Sequence, residues 1–260
     1  MRRIIIIGTT FVVLAGAAVA YAAFNNYTGT KISFTSSGAG SKTKPLAVGE
    51  LEHLQANAPA GDRAAPLTNI KVTIYGAQLN GKLFPKCTDS MIEANQTKFD
   101  AACPSGSRIG SGPVHALLGP PTNPSQSAGI TCDTVLHVYN GGATTQVFFF
   151  TEPNPQNCGG LRTGATKPYD GHISRQGNNL VVNVPLPKDI STQVPNAAVG
   201  FYGSLITETL TFPRKVAHGR GYMEFIGCKN GKRPWSVTYT AQDYNNGGSE
   251  TQTVKGSAKC

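Results

Sequence analysis

The sequence lacks most of the motifs by which enzymes and nucleic-acid-binding proteins are recognised. Among its 260 residues there is no Cys-x-x-Cys pair, no Gly-x-Ser-x-Gly elbow and no run of five or more Lys or Arg. The missing Cys pairs exclude the usual zinc spacings, and the missing elbow removes a common hydrolase signature. A nucleic-acid site needs clustered basic residues. We therefore expect a non-catalytic protein with no catalytic residues, no cofactor, no metal ligands and no nucleic-acid partner.

Acidic residues are scarce, and this shortage sets the charge of the chain. Asp and Glu number 14 against 23 Lys and Arg, which gives a formal net charge of +9. The basic residues are scattered along the sequence, as is typical of a soluble basic exported protein. This balance favours weak attraction to an anionic envelope polymer.

Long apolar runs are missing except at the N-terminus. Met1-Arg2-Arg3 is a short positive segment, residues 4–20 are apolar, and small residues at 18–22 fit a signal peptidase site. The pattern predicts a signal peptide over 1–22 and a single secreted domain over 23–260, in the extracellular space or the cell envelope. The alternative is an uncleaved membrane anchor, because about 20 apolar residues can span a bilayer.

All six cysteines follow this segment, and an even number in an exported chain is typical of disulfides. Spacing alone leaves the connectivity open. Because each adjacent pair flanks a local excursion of the chain, we predict that nearest neighbours are joined. The predicted bonds are Cys87–Cys103, Cys132–Cys158 and Cys228–Cys260.

Short alternating segments dominate the rest of the chain. Residues 69–76, with Ile70, Val72 and Ile74 on one face, are an example of a predicted strand. The chain also has 30 Gly and 17 Pro to separate such segments. No strand–helix–strand alternation is present, so we predict an all-β fold. The expected architecture is an antiparallel β-sandwich of about ten to twelve strands with one short helix.

The local order of these elements can also be predicted. Ser90-x-x-Glu93 fits a capping box at the start of the helix. Residues 130–139 and 145–151 are expected to form one hairpin, and residues 219–228 and 235–242 another. The second arm of the first hairpin, residues 147–150, is apolar on both faces, which indicates a strand covered on both sides.

The glycine run at Gly106, Gly110 and Gly112 resembles a phosphate-binding loop. No strand directly precedes the run, and no Gly-Lys-Ser/Thr follows it. We interpret these residues as turn glycines that lead into a short strand at 114–118.

A few polar residues are candidates for chemistry. Glu208 and Glu224 lie in mid-strand and could form a glycosidase-type carboxylate pair, although such acids usually face solvent. Asp170-Gly171-His172 is the nearest local acid–histidine pair, and we place it in a turn. Residues 243–250 are oxygen-rich but hold only two acids, so a hairpin turn is favoured over a calcium site.

Histidines and aromatic residues offer weaker signals. His115 and His137 fall in predicted strands and are interpreted as ordinary sheet residues. Several aromatic side chains could form a platform for a glycan if they shared an exposed face. They are Tyr139, Tyr169, Tyr202, Tyr222, Trp235, Tyr239 and Tyr244.

One motif carries a resemblance. Phe84-Pro-Lys-Cys87 is followed by Cys103-Pro-x-Gly-Ser-x-Ile-Gly-Ser-Gly112, after an Ile-x-Val-x-Ile strand at 70–74. The pattern resembles uncharacterised secreted, disulfide-stapled β-sandwich proteins of high-GC Gram-positive bacteria, over most of residues 28–260. The resemblance implies an exported bacterial β-protein with a Cys-bearing C-terminal hairpin, and it supplies no catalytic residues.

These observations favour a secreted or cell-envelope β-sandwich protein that acts as a non-catalytic binding or structural module, with an anionic polymer or a glycan as partner. One alternative is a secreted hydrolase of glycans or esters with a dispersed site, which a pocket holding two acids or an acid–histidine pair would favour. Another is a surface domain tethered by the N-terminal helix. We expect the functional surface in the loops at 119–129 and 152–171.

Overall fold

A computed structural model describes most of the chain. The described ranges are 25–58, 60–94, 99–151, 158, 167–192, 194, 200–243 and 248–260, with only the backbone at 99 and 100. The expected signal peptide at 1–22 and most of the loop at 152–171 lie outside these ranges. Within them, no helix combines the length and the hydropathy needed to cross a membrane.

The fold is all-β and antiparallel, as predicted. The strands are β1 (Lys31–Phe34), β2 (Leu46–Val48), β3 (Glu50–Gln55), β4 (Leu67–Tyr75), β5 (Ala77–Leu79), β6 (Arg108–Gly119), β7 (Ile130–Asn140), β8 (Thr145–Thr151), β9 (Tyr169–Gln176), β10 (Asn179–Pro185), β11 (Tyr202–Phe212), β12 (Val216–Ala217), β13 (Arg220–Gly221), β14 (Met223–Phe225), β15 (Lys232–Gln242) and β16 (Ser249–Lys259). Two short α-helices, α1 (Asp89–Glu93) and α2 (Phe99–Ala102), lie between β5 and β6, and single 3-10 turns are present at Gly81–Leu83 and Gln126–Ala128.

Eleven of the strands form one large sheet. Their order is β1-β3-β11-β6-β7-β8-β9-β10-β4-β15-β16. The two edge strands, β1 and β16, come into contact. The Gln252 side-chain amide of β16 donates to the Asn25 carbonyl, ahead of β1, at 2.9 Å. The sheet therefore curls around an interior.

Alternation along the strands fills that interior with apolar side chains. Ile70, Val72 and Ile74 of β4 are buried, as are Val237 and Tyr239 of β15. The register places Val72 directly opposite Val237. Side chains opposite one another on one face pack together, so the predicted strand at 69–76 becomes a central part of the core.

A three-stranded sheet, β2-β14-β5, packs against the interior. Its buried residues Val48, Met223 and Phe225 belong to the same core cluster as β4 and β15. Strand β4 turns into β5 at Gly76, which has φ +63. A Cβ at Gly76 would lie 2.1 Å from the Gly227 carbonyl oxygen, so this turn requires glycine.

The outer face of the β7–β8 hairpin is also covered. Cys87 and Ile92, from the segment of the first disulfide, form a buried cluster with Tyr139, Val147 and Phe149. The neighbouring Phe148 belongs to the interior cluster instead. The predicted hairpin and its two-sided burial are therefore confirmed.

The three disulfides join the predicted partners. Cys87 is bonded to Cys103, Cys132 to Cys158, and Cys228 to Cys260. No free cysteine remains. The last bond ties the end of β16, so the chain terminus is held against the sheet.

The glycine run departs from the prediction. Gly106 has φ +87 and lies in a turn, but Gly110 and Gly112 lie inside β6, which starts well before the predicted strand at 114–118. A Cβ at Gly112 would lie 1.7 Å from the Thr209 carbonyl oxygen of β11. Close approach of the two backbones, rather than a turn, explains this glycine.

Two further local predictions were wrong. The segments at 219–228 and 235–242 do not form a hairpin, because β14 pairs with β2 and β5. Strand β15 instead pairs with β4 and β16. The capping box at Ser90 is also absent. Helix α1 begins after Thr88, and no side chain caps it. The hydroxyl groups of Thr88 and Ser90 form a hydrogen bond with each other at 3.0 Å.

Candidate functional site

Three glutamates interrupt the apolar inner face of the large sheet. Glu50 and Glu52 of β3 and Glu208 of β11 are 5%, 6% and 7% exposed. Buried and outward positions alternate along β3, so Glu50, Glu52 and Leu54 share the inner face. Glutamates are rarely buried without a charged partner, which makes this group unusual.

The register brings the three carboxyls close together. Strands β3 and β11 are neighbours, with Glu208 directly opposite Leu54 and Leu210 opposite Glu52. Glu208 is therefore diagonal to Glu52 on the same face, which is within reach of two long side chains. Glu50 is the next inward residue of β3 on the far side of Glu52.

Two cavities meet at Glu208. The first, which we call the carboxyl cavity, has a volume of about 60 Å³ and is lined by all three glutamates and by apolar side chains. The second, the apolar cavity, has a volume of about 150 Å³ and is lined mainly by apolar residues of β6, β7 and β11 and of the segment after β10. Glu208 and Tyr169 line both cavities.

Burial raises the pKa of every carboxyl in the group. The pKa of Glu208 is raised to about 8 by burial and, second, by the negative charge of Glu52. Burial raises the pKa of Glu52 to about 7. The pKa of Glu50 lies well above its ordinary value, again through burial first and Glu52 second. In each case burial disfavours the charged form of the carboxyl.

One carboxyl oxygen of Glu50 is left unsatisfied by the described residues. This atom, Oε1, is buried and has no hydrogen-bond partner in the described part of the chain. Leaving a buried acceptor unpaired costs roughly 1–3 kcal/mol. Such exceptions in a folded protein call for an explanation, and a donor on a bound molecule would supply one.

Neutral polar groups complete the wall of the carboxyl cavity. The Gln146 side-chain amide of β8 lies 3.5 Å from the Tyr222 hydroxyl. Burial raises the pKa of Tyr222 and of Tyr169, so both hydroxyls stay protonated over the physiological range. Among the described residues that line either cavity there is no Lys, Arg or His.

This arrangement can bind a small molecule that has both an apolar part and a hydrogen-bond donor. A cavity of about 150 Å³ lined by apolar side chains is large enough for a benzene-sized group. The carboxyls offer acceptors when ionised, and both acceptors and a donor when protonated. Neighbouring carboxyls also resemble acid–base pairs of hydrolases, whose pKa values are raised by similar surroundings.

Glu224 is not part of this site. It is 1% exposed, and its carboxylate accepts hydrogen bonds from Arg220 at 2.9 and 2.7 Å, from Gln78 at 2.9 Å and from Asn80 at 2.8 Å. These donors outweigh burial and lower its pKa to about 2. The favoured interpretation of Glu208 and Glu224 as solvent-facing residues is therefore wrong, because both are buried. They also do not form the carboxylate pair that was considered, since Glu208 lies next to Glu52 instead.

An acid–histidine pair does occur, but on the outside of the sheet. His115 of β6 contacts the Asp133 carboxylate of β7, and the two side chains are 43% and 59% exposed. Neither residue lines the two interior cavities. Asp170 and His172 lie in β9 rather than in the predicted turn, and His137 of β7 bonds Thr151 at 2.8 Å as a sheet residue.

The other predicted sites have structural roles or lie elsewhere. Most of the proposed aromatic platform is buried in the core, which excludes those rings from an exposed glycan site: Tyr139, Tyr169, Tyr222, Trp235 and Tyr239. Tyr244 is outside the described residues, and so is most of the turn at 243–250. Within the described ranges no group of three His, Cys, Asp or Glu residues could hold a metal ion.

The loop expected to carry function at 119–129 is organised around a buried arginine. The Arg63 guanidinium donates to the Pro120 and Asn123 carbonyls, both at 2.7 Å. Arg63 is 2% exposed. This contact fixes the loop from within, and a functional role for the loop stays a prediction.

Glu50 and Glu52 are the site residues that the sequence analysis missed. A signal was present, because Glu50-x-Glu52-x-Leu54 alternates with period two and places both acids on the face of a buried leucine. Because glutamate is polar, the sequence analysis did not recognise that this face of β3 belongs to the core.

No family model, no curated protein and no solved structure matches the chain.

Proposed function

We propose that the protein is an exported, non-catalytic binding module that holds a small amphipathic molecule inside its curled sheet. The observation that carries the proposal is the meeting of an apolar cavity with three buried glutamates at Glu208. Buried carboxyls without a basic partner lower the stability of a fold, and the described residues that line the carboxyl cavity include no Lys, Arg or His. Three disulfides and the predicted signal peptide support export.

The cavity volumes limit the ligand. The apolar part should contain about six to eight carbon atoms, by comparison with benzene-sized cavities. The polar part should be a single small group that reaches the glutamates from the apolar side. A long glycan or a peptide does not fit such a space.

Titration with n-hexanol tests the proposal. We expect saturable binding of n-hexanol to the purified protein, followed by calorimetry and by amide chemical shifts of residues that line the apolar cavity. Ala116→Phe fills that cavity and should weaken binding at least tenfold. Leu117→Phe, at the next position on β6 and on its other face, is the matched control and should bind as the unchanged protein does. Non-saturable or unlocalised shifts would refute the proposal.

A hydrolase is the second candidate, favoured by the pairing of Glu52 with Glu208 at raised pKa. Two carboxyls can act as general acid and base when their pKa values lie near the working pH. Chromogenic esters and glycosides test this reading. Turnover that Glu208→Gln abolishes while n-hexanol still binds would establish it.

An anionic polymer remains the proposed partner of the outer surface. Strands β4, β15 and β16 are described over their full lengths, and their outer face carries no Asp or Glu. The register places four lysines on that face: Lys71, Lys232, Lys255 and Lys259. Such a face attracts polyanions at low salt.

Cosedimentation with polygalacturonate tests this second interaction. Binding should occur at about 50 mM salt and weaken at about 300 mM, since salt screens surface charges. Lys71→Glu with Lys255→Glu should weaken it further. The control is Lys42→Glu with Lys44→Glu, an equal charge change in the exposed 41–44 turn. Equal losses in both variants would show a nonspecific effect of net charge.

The location and the domain boundaries also remain proposals. N-terminal sequencing of material from the culture medium distinguishes a protein cleaved after residue 22 from a surface domain that keeps its N-terminal helix. Cleavage gives a chain that starts at residue 23. Retention of residues 1–22 in the membrane fraction would favour the tethered form.

A further inference from the structure

We infer that the ligand of the interior site is a small primary amine, whose ammonium group binds among Glu50, Glu52 and Glu208 and whose apolar part fills the apolar cavity. The inference rests on the proposed function and adds the charge of the ligand to it. The carboxyl cavity has three acids on its wall and no basic residue among the described residues that line it. Charge complementarity therefore calls for a cation.

The unsatisfied oxygen of Glu50 is an independent indication. Glu50 is 5% exposed, lines the carboxyl cavity, and its Oε1 accepts no hydrogen bond from the described residues. An ammonium group has three donors and no acceptor. It can therefore donate to the Glu50 oxygen and to the neighbouring Glu52 carboxyl at the same time, which a hydroxyl with one donor cannot do.

The surroundings favour an organic cation over a metal ion. The three carboxyls do not form a group that could hold a metal ion. The rest of the carboxyl cavity wall is apolar, with Leu54, Val72 and Leu210 close to the acids. Calcium and magnesium need six or more oxygen ligands, whereas an amine with an alkyl or aryl tail also uses the apolar wall.

Amine binding must be linked to pH. Below neutral pH the glutamates are mostly protonated, because burial raises the pKa of Glu52 to about 7 and that of Glu208 to about 8. An arriving ammonium group favours the ionised form, so one carboxyl loses its proton to solvent on binding. Above these pKa values the carboxylate is already present and no proton is released.

The other titratable groups near the acids do not change charge in this window. Tyr169 of β9 and Tyr222 before β14 line the carboxyl cavity, and Tyr239 of β15 interacts with both Glu52 and Glu208. Burial raises the pKa of all three hydroxyls. Asp189 is a further acidic residue, on the wall of the apolar cavity.

Calorimetry with n-hexylamine and n-hexanol tests the inference on the full secreted chain. The two probes have the same tail, so their difference reports the charged group. We expect n-hexylamine to bind at least tenfold more tightly than n-hexanol at pH 8.5. Its affinity should fall at least tenfold between pH 8.5 and pH 6.0. Titrations at pH 6.0 in two buffers of different ionisation enthalpy should show the release of about one proton.

Variants identify the acids involved. Glu208→Gln and Glu52→Gln should each weaken n-hexylamine at least tenfold while n-hexanol binding changes less than threefold, which also shows that the variants fold. Glu93→Gln, at an exposed residue of α1, is the control and should leave the affinity for both probes unchanged.

The possible failures are distinguishable. If n-hexylamine binds no more tightly than n-hexanol, or binds equally at both pH values, the amine inference is overturned and the binding module stands. If neither probe binds, the proposed function fails as well. Tight n-hexylamine binding that both Gln variants leave unchanged would place the ammonium group elsewhere and overturn the inference.

Discussion

Glu208 of β11 lies diagonally across from Glu52 of β3, on the inner face of the sheet and next to two cavities. The negative charge of Glu52 adds to burial in raising the pKa of Glu208 to about 8. Two negative charges on diagonal neighbours in a core destabilise the fold unless one of the carboxyls is protonated. The pair therefore links the interior site to the stability of the protein.

The first prediction concerns stability against pH. A glutamate has a pKa of about 4.3 when unfolded, and Glu208 is raised to about 8 in the fold. The native state then holds the proton more tightly, so the free energy of unfolding falls as pH rises between these values, by up to about 1.4 kcal/mol per unit. Urea unfolding at pH 5, 6.5 and 8 should show this decline.

Replacing the Glu208 carboxyl should remove part of this fall in the free energy of unfolding with rising pH. We expect Glu208→Gln to be more stable than the unchanged protein by about 2–4 kcal/mol at pH 8 and nearly equal to it at pH 5. Glu93→Gln should follow the unchanged protein at both pH values. A Glu208→Gln curve parallel to that of the unchanged protein would contradict the assigned role of burial.

Glu224 should behave in the opposite way. Its carboxylate accepts two hydrogen bonds from Arg220, and its pKa is lowered to about 2. This stabilisation is present above the unfolded pKa of about 4.3 and is lost as pH falls towards 2. Glu224→Gln should lower the free energy of unfolding at pH 7 by about 1–3 kcal/mol, the range for hydrogen bonds to a charged group, as measured by the urea midpoint. An unchanged midpoint would show that the Arg220 pair is energetically neutral.

The bond between Cys228 and Cys260 should control the terminal strand. The bond joins residues with a sequence separation of 32. In the chain-entropy estimate, a loop of this length raises the free energy of unfolding by about 4 kcal/mol. Replacing both residues by Ala should lower the free energy of unfolding by roughly that amount and speed hydrogen exchange along β16. The matched control, Cys87→Ala with Cys103→Ala, should speed exchange in α1 and leave β16 protected. Equal exchange of β16 in both variants would be evidence against a local clamp.

Gly112 should tolerate no side chain. A Cβ there would lie 1.7 Å from the Thr209 carbonyl oxygen, and β6 cannot move away without losing its pairing with β11. Gly112→Ala should destabilise the protein by about 3 kcal/mol or more, measured by thermal and urea unfolding. The neighbouring Ser111→Ala is the control, with an expected change within about 0.5 kcal/mol. A mild effect at Gly112 would mean that the β6–β11 approach relaxes.

Local sequence patterns predicted the elements better than their partners. The hairpin at 130–151 was predicted because its arms are adjacent in the chain and a short turn joins them. The pairing of β14 with β2 and β5 could not be inferred in this way, since the partners lie far away in the sequence. The order of the eleven strands is likewise a product of long-range contacts.

The same difference between local sequence pattern and long-range contact applies to the candidate site. Alternation in β3 reveals that Glu50 and Glu52 share a face with Leu54, but it cannot show whether that face meets solvent or core. Glu208 and Glu224 look alike in the sequence, both acids in apolar strands. Their pKa values move in opposite directions because Arg220 approaches only Glu224.

The sequence by itself determined the all-β class and most strand positions, because periodicity and turn residues act over short distances along the chain. It left the cysteine connectivity open, and the structure confirmed the predicted nearest-neighbour pairing. Only the tertiary structure decided that the large sheet curls until β1 meets β16. That closure turns one face of β3 and β11 into an interior. It turns three ordinary glutamates into a buried group beside an apolar cavity, with no basic residue among the described residues that line their own cavity. The loss of water, rather than any change in the residues, alters their chemistry.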